Sequence, residues 1–162
     1  MKHQYKYCIV SNAYMPSRPF ITRYDFGSIT DEQKAELMSK SKFMLWTSFI
    51  EGFGMPVLEA MAVGLPVIYT DVPAHNEFAV GIPIKPADEI KSFCYGLKTI
   101  KYVIDEKDVE EAIDYAMGMR KEEWENMSAE CKEKAKKIYE KTVVDVLNMV
   151  ERGLQLLIDR KR

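Results

Sequence analysis

Short apolar runs alternate with segments of helical periodicity through the first half of the chain. The first helix is predicted to begin after Thr30, which forms a capping-box sequence with Gln33. Strands that alternate with helices indicate a parallel sheet, and the loops at the carboxyl ends of its strands form the expected binding crevice. The pattern therefore predicts an α/β fold with binding loops at 47–55 and 70–77. The predicted strands cover residues 7–11, 20–26, 43–46, 66–69 and, more weakly, 82–84.

Helical periodicity dominates the second half of the chain, which predicts a helical C-terminal region. The predicted helices cover residues 87–100, 105–117, 120–140 and 142–160. One face of the last helix is apolar, and such a face most often packs in a core. Binding at a membrane surface is the alternative because three basic residues end the chain, although the polar face is acidic. The apolar face consists of Val143, Val146, Leu147, Val150, Leu154, Leu157 and Ile158.

The segment 51–62 carries the strongest candidate chemistry, because it places two glutamates around a glycine-containing turn that leads into a helix. Pro56 suits the first helical position, where its missing N–H costs nothing and its φ is already helical. The amides of that turn, together with the positive end of the helix dipole, favour a phosphate group. Gly52 and Gly54 allow the backbone to approach a ligand closely. The segment therefore predicts a site for a phosphorylated ligand.

Composition limits the classes of function that this chain can have. Its 162 residues suffice for one core and predict a single domain. The net charge of −2, from 23 basic and 25 acidic residues, gives no electrostatic reason to expect nucleic acid. No apolar run approaches the ~20 residues that span a bilayer, and the N-terminal residues lack a signal peptide's hydrophobic segment. We therefore expect a cytoplasmic protein, with peripheral membrane association as the alternative.

Cysteine and histidine give no sign of a metal site. Cys8, Cys94 and Cys131 are scattered without metal-ligand spacing, and thiols buried in the core explain them better than disulfides. The chain has only two histidines, and His75 lies in a predicted loop, where a histidine is most often solvated. We therefore expect neither a metal nor another cofactor.

Residues 20–90 resemble the retaining, family-4-type glycosyltransferases, specifically the C-terminal, donor-binding half of their GT-B fold. Glu51 and Glu59 match the E-x(7)-E motif of that family. The P-S-x-x-E sequence with which the motif begins is matched at Ser48 and Glu51, whereas Thr47 stands in place of the proline. The resemblance implies a Rossmann-like parallel sheet flanked by helices. Further matches in the same order are 26–30 (G-x-[IV]-[ST] turn), Gly64 to Ile68 (G-x-P-V-[IV]) and Glu77.

The resemblance also implies a role for each residue of the motif. Glu51, as the catalytic residue, would hold hydroxyls of the donor sugar and keep its anomeric carbon oriented. Glu59 would bind the ribose hydroxyls of the nucleotide, although an acidic residue in the first turn also stabilises a helix by itself. The donor sugar and diphosphate would be bound by the amides of Gly52, Phe53, Gly54 and Met55, and of Val57 and Leu58. The base would contact Phe26, Gly27 and Ser28, for which packing of a turn is an equal alternative.

The implied reaction transfers a sugar from a nucleoside diphosphate to a glycan, lipid or protein acceptor, without a divalent metal. Members of the family use an Arg and a Lys from a G-R-x(4)-K-G segment that begins the donor domain, and this sequence has no such segment. We therefore expect a donor domain without its N-terminal acceptor domain. By itself, this donor domain should transfer little sugar, and it should pair with an acceptor domain or with a second copy of itself. The alternatives are a noncatalytic accessory protein that binds nucleotide sugars, and a GT-B epimerase acting on them.

Overall fold

The computed structural model describes residues 5–10, 21–25, 27–94 and 96–159, and they fall into two compact units, Met1–Ser41 and Lys42–Arg162. In the first unit, β1 (Tyr7–Val10) pairs in parallel with β2 (Ile21–Tyr24), and α1 (Asp31–Ser39) follows. The predicted capping box is confirmed, because Thr30 Oγ1 accepts the Gln33 amide at 3.2 Å and the Gln33 side chain accepts the Thr30 amide at 2.8 Å. Ser11, Phe20 and Phe26, at the predicted strand ends, lie outside the described residues.

A three-stranded parallel sheet forms the centre of the second unit. Its order is β3 (Met44–Trp46), β4 (Val67–Thr70) and β5 (Gly81–Ile84), and every residue of β4 is buried. Two helices connect these strands, α2 (Met55–Ala62) and the short α3 (Pro73–Asn76). Parallel strands flanked by helices confirm the predicted α/β class and are consistent with the Rossmann-like C-terminal half of a GT-B fold.

Two further helices complete the core of the second unit. The first, α4 (Glu106–Gly118), buries Ala112 and Ala116 against Ile68 and Ile84 of the sheet. The second, α5 (Lys121–Asp159), packs its N-terminal half on α2 and the loop after it. One anchor is Ser128, whose Oγ donates to the Gly64 carbonyl at 2.6 Å. The turn between β3 and α2 is thus held on a well-packed support.

A β-hairpin replaces the helix that the sequence predicted over residues 87–100. Strand β6 (Asp88–Cys94) pairs antiparallel with β7 (Leu97–Val103), and Gly96 has a φ of 79° in the connecting turn. The apolar residues of this segment recur at intervals of three and four, which is typical of a helix. That prediction was wrong because cross-strand pairing through a tight glycine turn can use the same residues. The side chains in question, Ile90, Phe93, Leu97 and Ile100, are all exposed.

The two helices predicted after residue 120 form one continuous helix, α5. Residues 141–150 of α5 are all exposed, so the expected core packing is wrong for Val143, Val146, Leu147 and Val150. The side chains of Leu154, Leu157 and Ile158 lie outside those described. None of the described helices is both long and apolar enough to cross a membrane.

The cysteines divide between core and surface. Cys131 of α5 is completely buried, as predicted, and its Sγ lies 3.7 Å from the Val80 carbonyl. Burial, with a further contribution from Glu130, raises the pKa of this thiol to about 12. Cys8 is exposed, so the prediction of a core thiol was wrong for this residue, which lies on a strand of only four residues. Cys94 ends β6 and does not lie on a helix.

Candidate functional site

The turn between β3 and α2 depends on the glycine at position 54. Gly54 is the N-cap residue of α2 and adopts a left-handed conformation, with φ of 93° and ψ of 45°. A Cβ at this position would lie 3.0 Å from His75 Cδ2 and 3.1 Å from His75 Nε2. Because a side chain would be opposed both by the backbone and by the imidazole, only glycine fits here without strain. Pro56 is the second residue of α2, one position later than the first helical position predicted for it, because the helix begins at Met55.

The carboxylate of Glu51 is held in a defined orientation at the beginning of this turn. Trp46 Nε1 donates to Glu51 Oε2 at 3.1 Å, and the Gly52 amide donates to Glu51 Oε1 at 3.2 Å. The side chain of Glu51 is only 18% exposed, so these donors act where water screens little. Sequence reasoning missed Trp46. Its position could have indicated this role, because Trp46 ends a strand five residues before Glu51 and its indole carries a single hydrogen-bond donor.

His75 lies beneath the turn and is completely buried, so the prediction of a solvated histidine was wrong. Its Nδ1 lies 2.9 Å from the Thr70 carbonyl, and its ring meets the Tyr69 ring edge-on with centroids 5.8 Å apart. Its Nε2 lies 4.0 Å from Glu51 Oε2. The loops after β3 and β4 therefore meet, as expected for the carboxyl ends of neighbouring parallel strands.

Tyr69, the neighbour of His75 on β4, is nearly buried as well. Burial, reinforced by the negative charge of Asp71, raises the pKa of the Tyr69 phenol. Tyr69 therefore keeps its proton through the neutral range and presents a neutral ring to His75.

The backbone amides of the turn fall into two groups. The amides of Val57 and Leu58 donate to the Gly54 carbonyl, at 2.9 and 3.2 Å, and so cap the helix. Within the described ranges, the amides of Phe53, Gly54 and Met55 have no acceptor in the chain. Donors without a partner at a helix N-terminus are suited to an anion, and the positive end of the helix dipole adds to this preference.

The remaining predicted site residues differ in their relation to this turn. Glu59 is partly buried on α2, one helical turn after Met55 and on the same face of the helix, so the prediction that it lies in the first turn was wrong because the helix begins at Met55. Gly27 and Ser28 belong to the first unit, where Ser28 donates through its amide and its Oγ to the Asp25 carbonyl at 3.0 and 2.7 Å. Phe26 lies outside the described residues.

Phe53 forms part of the surface beside the Glu51 carboxylate. Its ring stacks on that of Phe78, with centroids 5.0 Å and planes 19° apart, while 46% of the residue remains exposed. In the described part of the chain, no three His, Cys, Asp or Glu side chains are grouped so that they could hold a metal ion. The turn thus offers a ligand one fixed carboxylate, that of Glu51, and a set of backbone amides.

Comparison with known proteins gives the same segment a family context. The family described as "Glycosyl transferases group 1" matches residues 25–138. Two similar proteins, named "Putative glycosyltransferase 41" and "Putative glycosyltransferase 48", come from Sulfolobus islandicus filamentous virus (isolate Iceland/Hveragerdi). The first is 38% identical over 115 residues, which are 70% of this chain and 35% of that protein. The second is 40% identical over 117 residues, 70% of this chain and 38% of that protein.

A third relative, "Putative glycosyltransferase ORF330" of Acidianus filamentous virus 2 (isolate Italy/Pozzuoli), is 34% identical over 132 residues, 80% of this chain and 38% of that protein. A shorter match, 44% identical over 52 residues, joins 32% of this chain to 6% of "Serotype-specific mannosyltransferase WbdA" of Escherichia coli. The chain thus spans little more than a third of the length of the viral relatives. Because the family match covers well over half of its residues, the chain belongs to the glycosyl transferases group 1 family.

Proposed function

We propose that this chain is the donor-binding domain of a retaining, family-4-type glycosyltransferase and binds a nucleoside-diphosphate sugar through its E-x(7)-E motif. One observation carries the proposal. The turn between β3 and α2 combines an oriented carboxylate, Glu51, with three consecutive amides that have no acceptor in the described chain. A sugar supplies hydroxyl donors for the carboxylate, and a diphosphate supplies oxygen acceptors for the amides.

The diphosphate lies at the N-terminus of α2 in this proposal. The amides of Phe53, Gly54 and Met55 are the main donors, because those of Val57 and Leu58 already donate to the Gly54 carbonyl. The latter two amides therefore contribute through shared hydrogen bonds and through the helix dipole. Glu59, one turn further along α2, accepts hydrogen bonds from the ribose hydroxyls. We assign a hexose donor because one relative is named a mannosyltransferase.

Transfer breaks the bond between the anomeric carbon and the diphosphate oxygen, whose electron pair leaves with the diphosphate. The acceptor oxygen forms the new bond on the same face of the sugar, and its proton passes to the departing diphosphate oxygen. Negative charge therefore grows on the leaving group, where oriented donors stabilise it most effectively. In the proposed site these donors are the turn amides, and Glu51 keeps the sugar oriented toward the acceptor. No step in this scheme requires a divalent metal.

A thermal-shift panel tests the proposal. The chain is heated with UDP, GDP, ADP, UDP-glucose and GDP-mannose, and a ligand that binds only the folded state raises its apparent stability. At about 100 times its Kd, such a ligand adds about 2.7 kcal/mol. We expect one nucleotide and its sugar conjugate to raise the melting temperature of the wild type, and Glu59→Ala to reduce both shifts. A folded chain that responds to none of these ligands contradicts the proposal.

Transfer itself is measured with the N-terminal part of a viral relative supplied in trans or fused to this chain. Formation of a glycoside that keeps the anomeric configuration of the donor supports a retaining transferase. Donor binding without transfer in that assembly instead supports an accessory protein, and interconversion of the nucleotide sugar supports an epimerase.

A further inference from the structure

Two polar side-chain atoms stand out in the described part of the chain, because they are buried without a hydrogen-bond partner: Thr70 Oγ1 and His75 Nε2. A buried polar atom without a partner is costly, and a hydrophobic side chain of similar size would avoid that cost. The imidazole at position 75 is thus not explained by packing alone. Its Nε2 needs a partner, and the nearest charged group is the carboxylate of Glu51.

The orientation of the His75 ring follows from its other contacts. The Thr70 carbonyl can only accept, so the hydrogen bond of 2.9 Å requires the proton to lie on Nδ1. The Tyr69 ring meets the imidazole edge-on, and a Cβ built on Gly54 would lie 3.0 Å from Cδ2 and 3.1 Å from Nε2. These contacts direct Nε2 toward Glu51 Oε2, 4.0 Å away.

We propose that His75 is a positioning residue for Glu51, holding the carboxylate from beneath while Trp46 and the Gly52 amide hold it from the side. The distance of 4.0 Å is too long for a hydrogen bond but lies within the range of a charge pair. Because Nδ1 already carries the proton that the Thr70 carbonyl accepts, the contact with the carboxylate attracts only when the ring carries a second proton, on Nε2. This inference rests on the proposed function for its consequence, which is the orientation of Glu51 toward the donor sugar.

His75 also connects the carboxylate to the phosphate-binding part of the turn. The ring that faces Glu51 is also the ring that a Cβ at position 54 would press on, at 3.0 Å from Cδ2 and 3.1 Å from Nε2. A displacement of the imidazole therefore changes the carboxylate and the Gly54 amide together. The carboxylate is the more sensitive of the two, because the Gly54 backbone is also fixed by the capping hydrogen bonds of α2.

Two substitutions separate this role from simple packing. The amide of an asparagine occupies the place of Nδ1, whereas the amide of a glutamine occupies the place of Nε2. His75→Asn therefore keeps the donor to Thr70 and removes the group that faces Glu51, and His75→Gln does the reverse. A residue whose task is only to anchor the loop on Thr70 should tolerate asparagine better than glutamine. A residue that positions Glu51 should tolerate glutamine better.

The indole N–H of Trp46 reports the position of Glu51 without any ligand, because it donates to Oε2. The chain has two tryptophans, and Trp124 serves as an internal control, since its Nε1 donates to the Lys42 carbonyl at 2.7 Å. In ¹H–¹⁵N spectra, we expect His75→Asn to shift the Trp46 indole signal and speed its hydrogen exchange, with Trp124 unchanged. His75→Gln should restore the wild-type Trp46 signal. An unchanged Trp46 signal in folded His75→Asn overturns the proposal.

Calorimetry then gives the functional consequence. We expect His75→Asn to weaken binding of the sugar-bearing donor about tenfold, the effect of losing ~1.4 kcal/mol, and to spare the bare nucleoside diphosphate. Equal losses for both ligands contradict a specific effect on Glu51. If the Trp46 signal responds as expected but wild type binds no nucleotide sugar, the proposed function fails and the positioning role stands.

A reciprocal variant keeps the proposal testable if His75→Asn does not fold. Glu51→Gln removes the charge that faces Nε2 and leaves the imidazole in place. We expect the ring ¹⁵N signals of His75 to shift, while those of His3, the other histidine, remain as they are. A His75 signal that does not respond to Glu51→Gln overturns the proposal.

Discussion

Trp46 Nε1 donates a hydrogen bond of 3.1 Å to Glu51 Oε2, so the last residue of β3 fixes the carboxylate that begins the turn. The bond joins two residues that are only five positions apart and spans the loop that leaves β3. It therefore closes the loop on itself. The strand, which is part of the rigid sheet, in this way determines where a loop carboxylate points.

Trp46→Phe tests this bond directly, because it keeps an aromatic ring and removes the donor. We expect binding of the sugar-bearing donor to weaken by about 1.5 to 3 kcal/mol, the effect of losing a hydrogen bond to a charged group. Trp124→Phe is the matched control, since it loses a hydrogen bond to the Lys42 carbonyl and should leave donor affinity unchanged. Calorimetry that finds the same affinity for Trp46→Phe and wild type would remove Trp46 from the site.

Glu59→Ala should weaken binding of the bare nucleoside diphosphate by about 1 to 3 kcal/mol, because it removes charge-assisted hydrogen bonds to the ribose. The sugar-bearing donor should lose the same amount, since both ligands share the nucleotide. Calorimetry with the two ligands measures these losses. Unchanged affinity in a folded variant would exclude the assignment of Glu59 to the ribose.

Glu51→Ala should show a different pattern, because the carboxylate is assigned to the sugar. We expect the bare nucleoside diphosphate to bind as it does to wild type and the sugar-bearing donor to lose about 1 to 3 kcal/mol. The comparison of the two ligands is made on one preparation of the variant. Equal losses for both would contradict the role of Glu51 in sugar binding.

Gly54→Ala should destabilise the protein more than the same change in a freer turn. Gly96 is the control: its φ of 79° is also left-handed, but a Cβ there would meet nothing within 4 Å. We expect Gly96→Ala to cost about 1 to 3 kcal/mol in backbone strain. Gly54→Ala should cost at least about 1 kcal/mol more, because its Cβ presses on the buried His75 ring. Denaturant unfolding of both variants measures the difference, and equal costs would contradict the steric role of His75.

The thiol of Cys131 should make the stability of the fold depend on pH in the alkaline range. Its ordinary pKa of 9.0 is raised to about 12 in the folded protein, so the unfolded chain releases the proton first. The contribution is therefore fully present below pH 9 and is lost as pH rises toward 12. The free energy of unfolding should fall by up to about 1.4 kcal/mol per pH unit in this window.

Comparison with Cys131→Ala isolates this contribution, because the other alkaline titrations are common to both proteins. We expect a shallower fall of stability in the variant between pH 9 and 10. In native wild type, iodoacetamide should modify the exposed Cys8 and spare Cys131, as peptide mass mapping can show. Rapid modification of Cys131 at neutral pH would contradict its burial.

The strand, turn and helix around Glu51 were predictable from sequence because their signals are local. A short apolar run forms β3, a glycine allows the left-handed N-cap at position 54, and Pro56 suits the first turn of α2. The capping box at Thr30 is local in the same sense. Each of these features depends on backbone preferences of residues within a few positions of one another, and such preferences hold in any fold.

Contacts between distant segments decided the features that sequence did not predict, namely the hairpin and the burial of His75. The spacing of apolar residues in 88–103 suits a helix as well as a hairpin, and only antiparallel pairing selected the hairpin. The buried environment of His75 arises because parallel pairing of β3 with β4 brings the loops after both strands together. Sequence alone thus determined which residues form the turn for which we propose phosphate binding. Only the tertiary structure decided which side chains support it, because burial and partners depend on segments that pack across the sheet.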